Sequence, residues 1–472
     1  MVTLPPVETQ ADVIAFLSDP TRYGLDEGSV ERIDTHCSIV FLVADRAYKL
    51  KREIHYSSLD YTTLEARRSA CEAELVLNRR TAPELYLGVR SINRDAKLGL
   101  AFDGPGPAVD YVVVMRRFAQ PDLFDGMEES GRLTPELMHS LGDTVARFHL
   151  AAETTPGFGG SEAIRRVIVD NDRELERVAP ELNGAAVGDL SSRTQATLER
   201  VAALLDQRRA EGKVRRCHGD LRLANICLWC GRPTPFDCIE FSDEIGCIDV
   251  LYDLAFLLMD LHVRGRGDLG NAVFNGWLDR MPDTSGLRVL PLFLALRAAT
   301  RSYALAGAAS RQTNPRQAAR RLSLARRHIH VGMDFLLPRR PLLVAVGGDA
   351  GHRRSELAVR LAAVTQPVPG ARILHVEPST DAVWRDAKAI LQAGCSVLID
   401  GTFAEAAQRR AVADLASHLG ISSYGFFLGS PEPDLGDGRW RTLNPGLGIL
   451  AALADAAPLV TAAPPASIGA PG

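Results

Sequence analysis

Cysteine is scarce in this 472-residue sequence, which contains eight. So few cysteines exclude the dense disulfide framework of a small secreted domain. The cluster formed by Cys227, Cys230, Cys238 and Cys247 holds one Cys-x-x-Cys pair and lacks a second. Structural zinc sites usually take their four ligands from two such pairs, so this cluster does not indicate a zinc centre.

An excess of charge is missing too, because 54 Lys and Arg residues face 58 Asp and Glu residues and the formal net charge is −4. No uninterrupted apolar run approaches the roughly 18 residues that a membrane-spanning helix needs. The first residues lack the basic flank and apolar core of a secretory signal. We therefore expect a cytoplasmic protein without a nucleic-acid or membrane partner.

The length is enough for two or three domains, and the apolar pattern indicates how they are arranged. The sequence SIVFLVADRAYKLK at residues 38–51 predicts a β-hairpin with its turn at Ala44-Asp45-Arg46. A helix is predicted from Thr62 to Arg80, with Thr62 and Glu65 as a capping pair, and a strand from Val109 to Phe118. Helical periodicity dominates afterwards, apart from a β-like interruption at His218–Phe241.

The pattern changes at Leu337-Pro338-Arg339-Arg340-Pro341, where prolines end the helical periodicity. Strand-like segments then alternate with helix-like ones, which is the βαβ pattern of a parallel sheet. We place a domain boundary between residues 338 and 339, a small second domain at 339–460, and a disordered Ala/Pro/Gly-rich tail at 461–472.

The segment HGDLRLANI carries the strongest chemical signal, with His218, Asp220 and Asn225. Glu240 follows fifteen positions beyond Asn225. Phosphoryl transfer needs a group that orients the attacking hydroxyl and hard oxygen ligands that hold Mg²⁺. Asp220, Asn225 and Glu240 can supply them. Asp237 competes with Glu240 as the metal ligand, and an ordinary polar turn is the alternative interpretation of the whole segment.

This segment resembles the His-Gly-Asp-x-x-x-x-Asn loop of aminoglycoside phosphotransferases and of related choline and sugar kinases. Ile239-Glu240-Phe241 and Asp253-Leu254-Ala255 are similar to the motifs that follow that loop. More closely, residues 30–335 resemble the bifunctional aminoglycoside phosphotransferase and ATP-binding protein family, through THCSIVFL, RAYKLKR, CEAELVLNRR, HGDLRLANICL and FDCIEFSDE.

The resemblance implies an α+β protein-kinase-like fold of two lobes over residues 1–338, with the N-lobe at about 30–118 and the C-lobe at about 119–338. It also implies a small α/β P-loop-like domain with a parallel sheet after residue 338. ATP and Mg²⁺ would be the cofactors, and a small molecule with a hydroxyl group would be the acceptor.

The resemblance also implies roles for single residues. Asp220 would be the catalytic base, and Asn225 and Glu240 would bind the metal. Four residues would form the ATP site, namely Lys49, Glu72, Ser38 and Met115. Lys51 shares a strand face with Lys49, and Glu74 lies two positions from Glu72, so the members of the Lys–Glu pair stay open at this point.

The expected P-loop of the second domain is altered, because it reads Gly348-Asp-Ala-Gly-His-Arg-Arg-Ser355. Arg353 replaces the glycine that lets the backbone approach phosphate, and Arg354 replaces the lysine. Asp349 adds a carboxylate, whereas Ser355 and Asp400 match the positions on the Mg²⁺ side. We expect no ordinary ATP site here.

The helix ALRAATRSYALAG carries Arg297 and Arg301 one turn apart. They line a substrate pocket or belong to a solvated helix face, and their spacing favours the solvated face. For the whole chain, two hypotheses remain. It is an ATP- and Mg²⁺-dependent phosphotransferase that acts on an amino sugar, a sugar or an amino alcohol, or it is a catalytically silent nucleotide-binding relative with a regulatory or scaffold role.

Overall fold

The fold was analysed in a computed structural model of the chain. The structure describes residues 10–25, 28–56, 59–95, 99–348, 351–376, 381–429, 440–443 and 449–461. The expected tail at 461–472 lies outside these ranges except for its first residue, and so does Asp349 of the altered loop.

The chain divides into two compact units, and each contains two separate stretches of sequence. The first unit is Met1–Arg132 with Arg216–Ile248, and the second is Leu133–Arg215 with Asp249–Gly472. The segment HGDLRLANI therefore folds with the amino-terminal sheet, although about eighty residues of helix precede it in the sequence. The expected boundary after residue 338 falls inside the second unit.

The helices of the described residues are α1 (Ala11–Ser18), α2 (Leu64–Asn78), α3 (Phe124–Glu129), α4 (Pro135–Ala151), α5 (Gly160–Val178), α6 (Gly184–Ala210), α7 (Asp243–Gly246), α8 (Val250–Val263), α9 (Gly267–Arg280), α10 (Leu290–Ser310), α11 (Pro315–Phe335), α12 (Gly351–Val364), α13 (Asp381–Gln392), α14 (Ala406–Leu419) and α15 (Ile449–Thr461). Within these ranges, no helix combines the length and the apolar character that crossing a membrane requires.

The strands of the described residues are β1 (Glu31–Asp34), β2 (Ser38–Val43), β3 (Arg46–Lys51), β4 (His55–Tyr56), β5 (Leu59–Asp60), β6 (Tyr86–Asp95), β7 (Gly99–Phe102), β8 (Ala108–Arg116), β9 (Val214–Arg216), β10 (Ile226–Trp229), β11 (Arg232–Pro235), β12 (Cys247–Asp249), β13 (Leu342–Gly347), β14 (Arg372–His375), β15 (Val397–Asp400), β16 (Ser422–Leu428) and β17 (Trp440–Leu443).

A six-stranded antiparallel sheet in the order β1-β2-β3-β8-β6-β7 organises the first unit. Side chains alternate across a strand, so neighbouring residues of β2 enter different cores. Phe41 packs in a cluster with Phe16 of α1, and Leu42 packs in another with Cys71 of α2. The sheet is thus covered on both faces. The hairpin predicted at residues 38–51 is confirmed as β2 and β3.

Helix α2 is capped by a different threonine from the one expected. The side chain of Thr63 accepts a hydrogen bond from the backbone N–H of Ala66, as an N-cap residue does. Thr62 instead donates its hydroxyl to Asp60 at 2.6 Å. Thr62 and Glu65 therefore do not form the capping pair, because the first helical turn starts at Leu64.

The second unit combines a helical part, α4–α6 and α8–α11, with a five-stranded parallel sheet in the order β14-β15-β13-β16-β17. The parallel sheet predicted after residue 341 is confirmed. Buried apolar residues fill its strands, as expected for a sheet that is covered by helices.

Two buried asparagines of α9 connect the helical part to the sheet. Asn271 Nδ2 donates to the carbonyl oxygens of Pro369 and Ala371 at 3.1 and 3.0 Å, and Asn275 Oδ1 accepts from the N–H of Ile373 at 2.8 Å. Because these amides satisfy backbone groups that would otherwise be buried without partners, removing the sheet domain would expose an interior surface.

Candidate active site

The loop after β9 positions its histidine and glycine through backbone contacts. His218 is buried, its Nε2 lies 2.9 Å from the carbonyl oxygen of Phe236, and its own carbonyl accepts from the N–H of Ile239 at 2.9 Å. Gly219 has φ +84°, and a Cβ there would lie 2.9 Å from the side chain of Ile239. Only glycine fits this turn, so the His-Gly pair holds the loop against residues 236–239.

A quarter of the Asp220 side chain is exposed, which is less than for Asp237. Arg222 donates Nε to Oδ1 at 2.7 Å and Nη2 to Oδ2 at 2.8 Å, which is a bidentate contact. Asn225 donates Nδ2 to Oδ2 at 2.8 Å. These three hydrogen bonds fix the orientation of the carboxylate.

Asn225 has its amide nitrogen committed and its amide oxygen free for another ligand. Nδ2 donates to both the backbone oxygen and the carboxylate of Asp220, at 2.9 and 2.8 Å. Asn225 is buried, and the two bonds of Nδ2 leave Oδ1 as the atom of its amide that can serve as a ligand. An amide oxygen is a hard ligand of the kind that Mg²⁺ prefers.

Asp237 is held in the left-handed region, with φ +62°. Tyr86 Oη accepts a hydrogen bond from the Asp237 N–H at 3.1 Å, Asn78 Oδ1 accepts one from Cys238, and the Asn225 carbonyl accepts one from Phe236. These bonds stabilise a backbone conformation that non-glycine residues rarely adopt. They place a carboxylate whose side chain is 42% exposed next to the Asn225 loop, where it contacts Lys49 Nζ.

Glu240 is buried, with 5% of its side chain exposed. One carboxylate oxygen contacts Lys51 Nζ and accepts the hydroxyl of Tyr61 at 2.5 Å. Its charge is therefore already compensated inside the first unit. Glu240 as metal ligand stays a prediction. Asp237, the competing residue, has the more exposed carboxylate, because β11 ends at Pro235 and Asp237 turns the chain.

Lys49 and Lys51 both contact Glu74, which is fully buried. The Lys49 Nζ to Glu74 Oε1 distance is 2.8 Å. Burial alone would raise the pKa of Glu74, but the two ammonium groups outweigh burial and hold it well below its usual value. Burial would likewise lower the pKa of Lys49, and Asp237 and Glu74 raise it instead. Both shifts favour the charged forms of Glu74 and Lys49.

Glu72 does not take part in this cluster. Its side chain is 57% exposed and lies 4.0 Å from Arg68 on the outer face of α2. Two residues rotate a helix by about 200°, so Glu72 and Glu74 point to opposite sides. The choice of Glu72 is corrected to Glu74, the alternative that the sequence had left open.

Replacing Glu74 by Gln should lower the stability of the chain by about 3 kcal/mol, because it removes the shared counter-charge of two buried lysines. Glu72→Gln is the matched control on the same helix, and it should change little because exposed ion pairs contribute little. The midpoint of thermal unfolding, compared between the two variants, checks the prediction. Equal midpoints would show that Glu74 is not the compensating charge.

Comparison with known proteins shows the family of this chain. Residues 83–290 match the sequence model of the phosphotransferase enzyme family. An uncharacterized protein of Mycobacterium tuberculosis is 30% identical over 433 residues, which cover 84% of this chain and 83% of the relative. A protein of Mycobacterium bovis, also uncharacterized, matches equally well. The chain belongs to the phosphotransferase enzyme family.

Solved structures similar to this phosphotransferase family member share little sequence with it. A choline/ethanolamine kinase family protein from Mesorhizobium loti is 14% identical with a TM-score of 0.39, and the match covers 69% of this chain and 99% of that one. A thermostable mutant of an aminoglycoside phosphotransferase is 14% identical with a TM-score of 0.39, covering 65% and 95%. The family assignment depends on the sequence matches.

Ser38 and Met115, the other two residues expected near ATP, are both buried in the sheet of the first unit. Ser38 begins β2 opposite Lys51, and its N–H donates to Thr35 Oγ1 at 3.0 Å. Met115 is paired with Ala47 on one side and with Tyr86 on the other, so it lies between two strands.

Several residues of the site were not found by sequence reasoning. Tyr61, Asn78 and Tyr86 carry no local motif, and they reach the site only because the sheet and α2 fold around it. Arg222 lies within the HGDLRLANI segment, two positions after Asp220. A carboxylate and an arginine so close in a tight loop are a detectable signal for the bidentate contact that the structure shows.

In the second unit, an arginine of the altered loop donates hydrogen bonds within the loop and to the end of β15. Arg354 donates Nε to Asp400 Oδ1 at 2.6 Å and Nη1 to the carbonyl of Gly348 at 2.8 Å. Ser355 donates its hydroxyl to Asp400 Oδ2 at 2.7 Å, and His375 Nδ1 lies 3.3 Å from the same oxygen. Burial would raise the pKa of Asp400, but His375, Ser355 and Arg354 together lower it.

Proposed function

We propose that this chain transfers the γ-phosphate of Mg²⁺-ATP to a hydroxyl group of a small molecule. The observation that carries the proposal is the grouping of Asp220, Asn225, Asp237 and the Lys49–Glu74 pair in one compact unit. Phosphoryl transfer depends mostly on positioning and on charge stabilisation, and these residues supply both kinds of group. The family match supports the same reaction class.

Asp220, with a quarter of its side chain exposed, would orient the acceptor hydroxyl and accept its proton. Arg222 and Asn225 keep the carboxylate in one orientation through three hydrogen bonds. The carboxylate would therefore meet the acceptor hydroxyl in a fixed orientation.

Asn225 Oδ1 and the Asp237 carboxylate would hold Mg²⁺, because both are hard oxygen ligands and the Asp237 side chain is partly exposed beside the Asn225 loop. When bound, this ion supplies positive charge against the oxygens of the transferred phosphoryl group. Lys49 would bind phosphate oxygens from the strand side, and Glu74 keeps its ammonium in place. This assignment leaves Glu240 and Lys51 as a structural pair.

The proposal can be tested by incubating the full chain with Mg²⁺ and γ-labelled ATP, together with amino sugars, sugars and amino alcohols. A labelled product that requires both Mg²⁺ and the acceptor is the expected result. A reaction without acceptor serves as the control for hydrolysis by water. If ATP binds but no acceptor and no water is phosphorylated, the alternative holds, in which the chain is a silent nucleotide-binding scaffold.

We expect the second unit to bind no ATP, so titration calorimetry of the full chain should give one nucleotide per chain. Arg354 occupies both Asp400 and the Gly348 carbonyl, and Ser355 donates to Asp400 instead of facing a metal ion. Arg354→Ala should leave the stoichiometry at one. A second site of comparable affinity that disappears in Arg354→Ala or Ser355→Ala would show that the altered loop binds nucleotide.

A further inference from the structure

Arg297 is a buried cation in the middle of α10, with 4% of its surface exposed. Its guanidinium lies over two aromatic rings of α8, with Cζ 3.8 Å from the ring centroid of Tyr252 and 4.6 Å from that of Phe256. Nε donates to the carbonyl oxygen of Tyr252 at 3.1 Å. The prediction that Arg297 lies on a solvated helix face is therefore wrong, because α8 packs over its guanidinium.

The charge of Arg297 has no counter-ion among the described residues. None of their carboxylates lies within 4.0 Å of its guanidinium, and Nη2 is buried without a hydrogen-bond partner. Arg208, another buried arginine of the second unit, has such counter-ions: it binds both oxygens of Asp249 at 2.8 Å and also contacts Asp283. Buried charges are normally paired, since an uncompensated one is costly.

Tyr303 lies further along α10 than Arg297 and is half-buried. Burial raises the pKa of Tyr303 to about 12, so its phenol is neutral and can donate a hydrogen bond. Thr300, between them, already donates its hydroxyl to Asn171 Oδ1 at 3.2 Å and to the carbonyl of Leu296 at 3.0 Å. The guanidinium and the phenol are both donors suited to an anion.

We propose that Arg297, together with the hydroxyl group of Tyr303, binds the carboxylate or phosphoryl group of a small molecule. Carboxylate and phosphoryl oxygens both match the planar fork of a guanidinium, and an anionic group would supply the missing counter-charge. The aromatic rings of Tyr252 and Phe256 exclude water on one side, which strengthens the contact. All of these residues belong to the second unit, so the site does not depend on the proposed phosphotransfer.

The test measures binding of inorganic phosphate and of acetate to the full chain by calorimetry, and it compares Arg297→Gln and Arg297→Lys with the natural chain. Loss of a charge-assisted contact should weaken binding of the preferred anion by about tenfold or more in Arg297→Gln. Arg297→Lys should lose less, because it keeps the charge but not the fork. The anion that binds more tightly distinguishes a carboxylate ligand from a phosphoryl one.

Arg311→Gln is the matched control, because Arg311 is exposed at the carboxyl end of the same helix. It should leave anion binding unchanged. Tyr303→Phe keeps the buried charge and should weaken binding severalfold, which gives a result even where Arg297→Gln does not fold. Absence of binding by the natural chain at millimolar anion, or equal binding by Arg297→Gln, would overturn the proposal and leave Arg297 as an anchor between α8 and α10.

Discussion

Asp220→Asn is expected to lower the rate of phosphotransfer by about 10²- to 10⁴-fold, which is the usual contribution of a positioned general base. The amide has one acceptor oxygen in place of two, so it also loses half of the bidentate contact with Arg222. ATP affinity should stay within about threefold, because Asp220 acts on the acceptor and not on the nucleotide. Turnover with γ-labelled ATP and nucleotide binding by calorimetry together check both parts.

A control variant for this experiment is Asp243→Asn, because Asp243 lies in the same unit and 69% of its side chain is exposed. It pairs only with Arg216 at the surface of the described structure and should leave turnover unchanged. Unchanged turnover in Asp220→Asn would remove this residue from the mechanism. The silent-scaffold alternative would then gain support, provided that ATP still binds.

Asp237→Asn should lower turnover by about 100-fold or more and raise the Mg²⁺ concentration needed for half-maximal activity. The carboxylate supplies a full negative charge to the proposed metal site, and an amide does not. Glu240→Gln should instead act on stability, because Lys51 would lose one of its two buried counter-charges, at a cost of about 3 kcal/mol. Its Mg²⁺ requirement should remain that of the natural chain.

This pair of variants distinguishes between the two candidate metal ligands, Asp237 and Glu240. Their carboxylates lie within four residues of each other in the sequence. Turnover against Mg²⁺ concentration and thermal unfolding should be measured on both. A shift of the Mg²⁺ requirement in Glu240→Gln without a change in Asp237→Asn would restore Glu240 as the ligand. It would also mean that the buried contact of Glu240 with Tyr61 opens when metal is bound.

Much of the secondary structure could be predicted from the sequence because it depends on local patterns. The β2–β3 hairpin follows from two apolar runs around a polar turn, and the parallel sheet after residue 341 follows from alternating strands and helices. The altered loop at Gly348–Ser355 could also be identified from the sequence, because a glycine and the lysine of the P-loop motif are replaced. The contact between Arg354 and Asp400 was not, because 46 residues separate them in the sequence.

The sequence by itself determined which chemistry this protein can offer, since a contiguous segment brings Asp220 and Asn225 together whatever the rest of the chain does. Only the tertiary structure decided which other groups join them. Glu74 replaced Glu72 because the packing of α2 against the sheet selects one helix face. Asp237 is more exposed than Glu240 because the backbone N–H groups of Asp237 and Cys238 donate to Tyr86 and Asn78, both distant in sequence, and so hold a left-handed turn. These differences depend on long-range packing, which no local sequence pattern encodes.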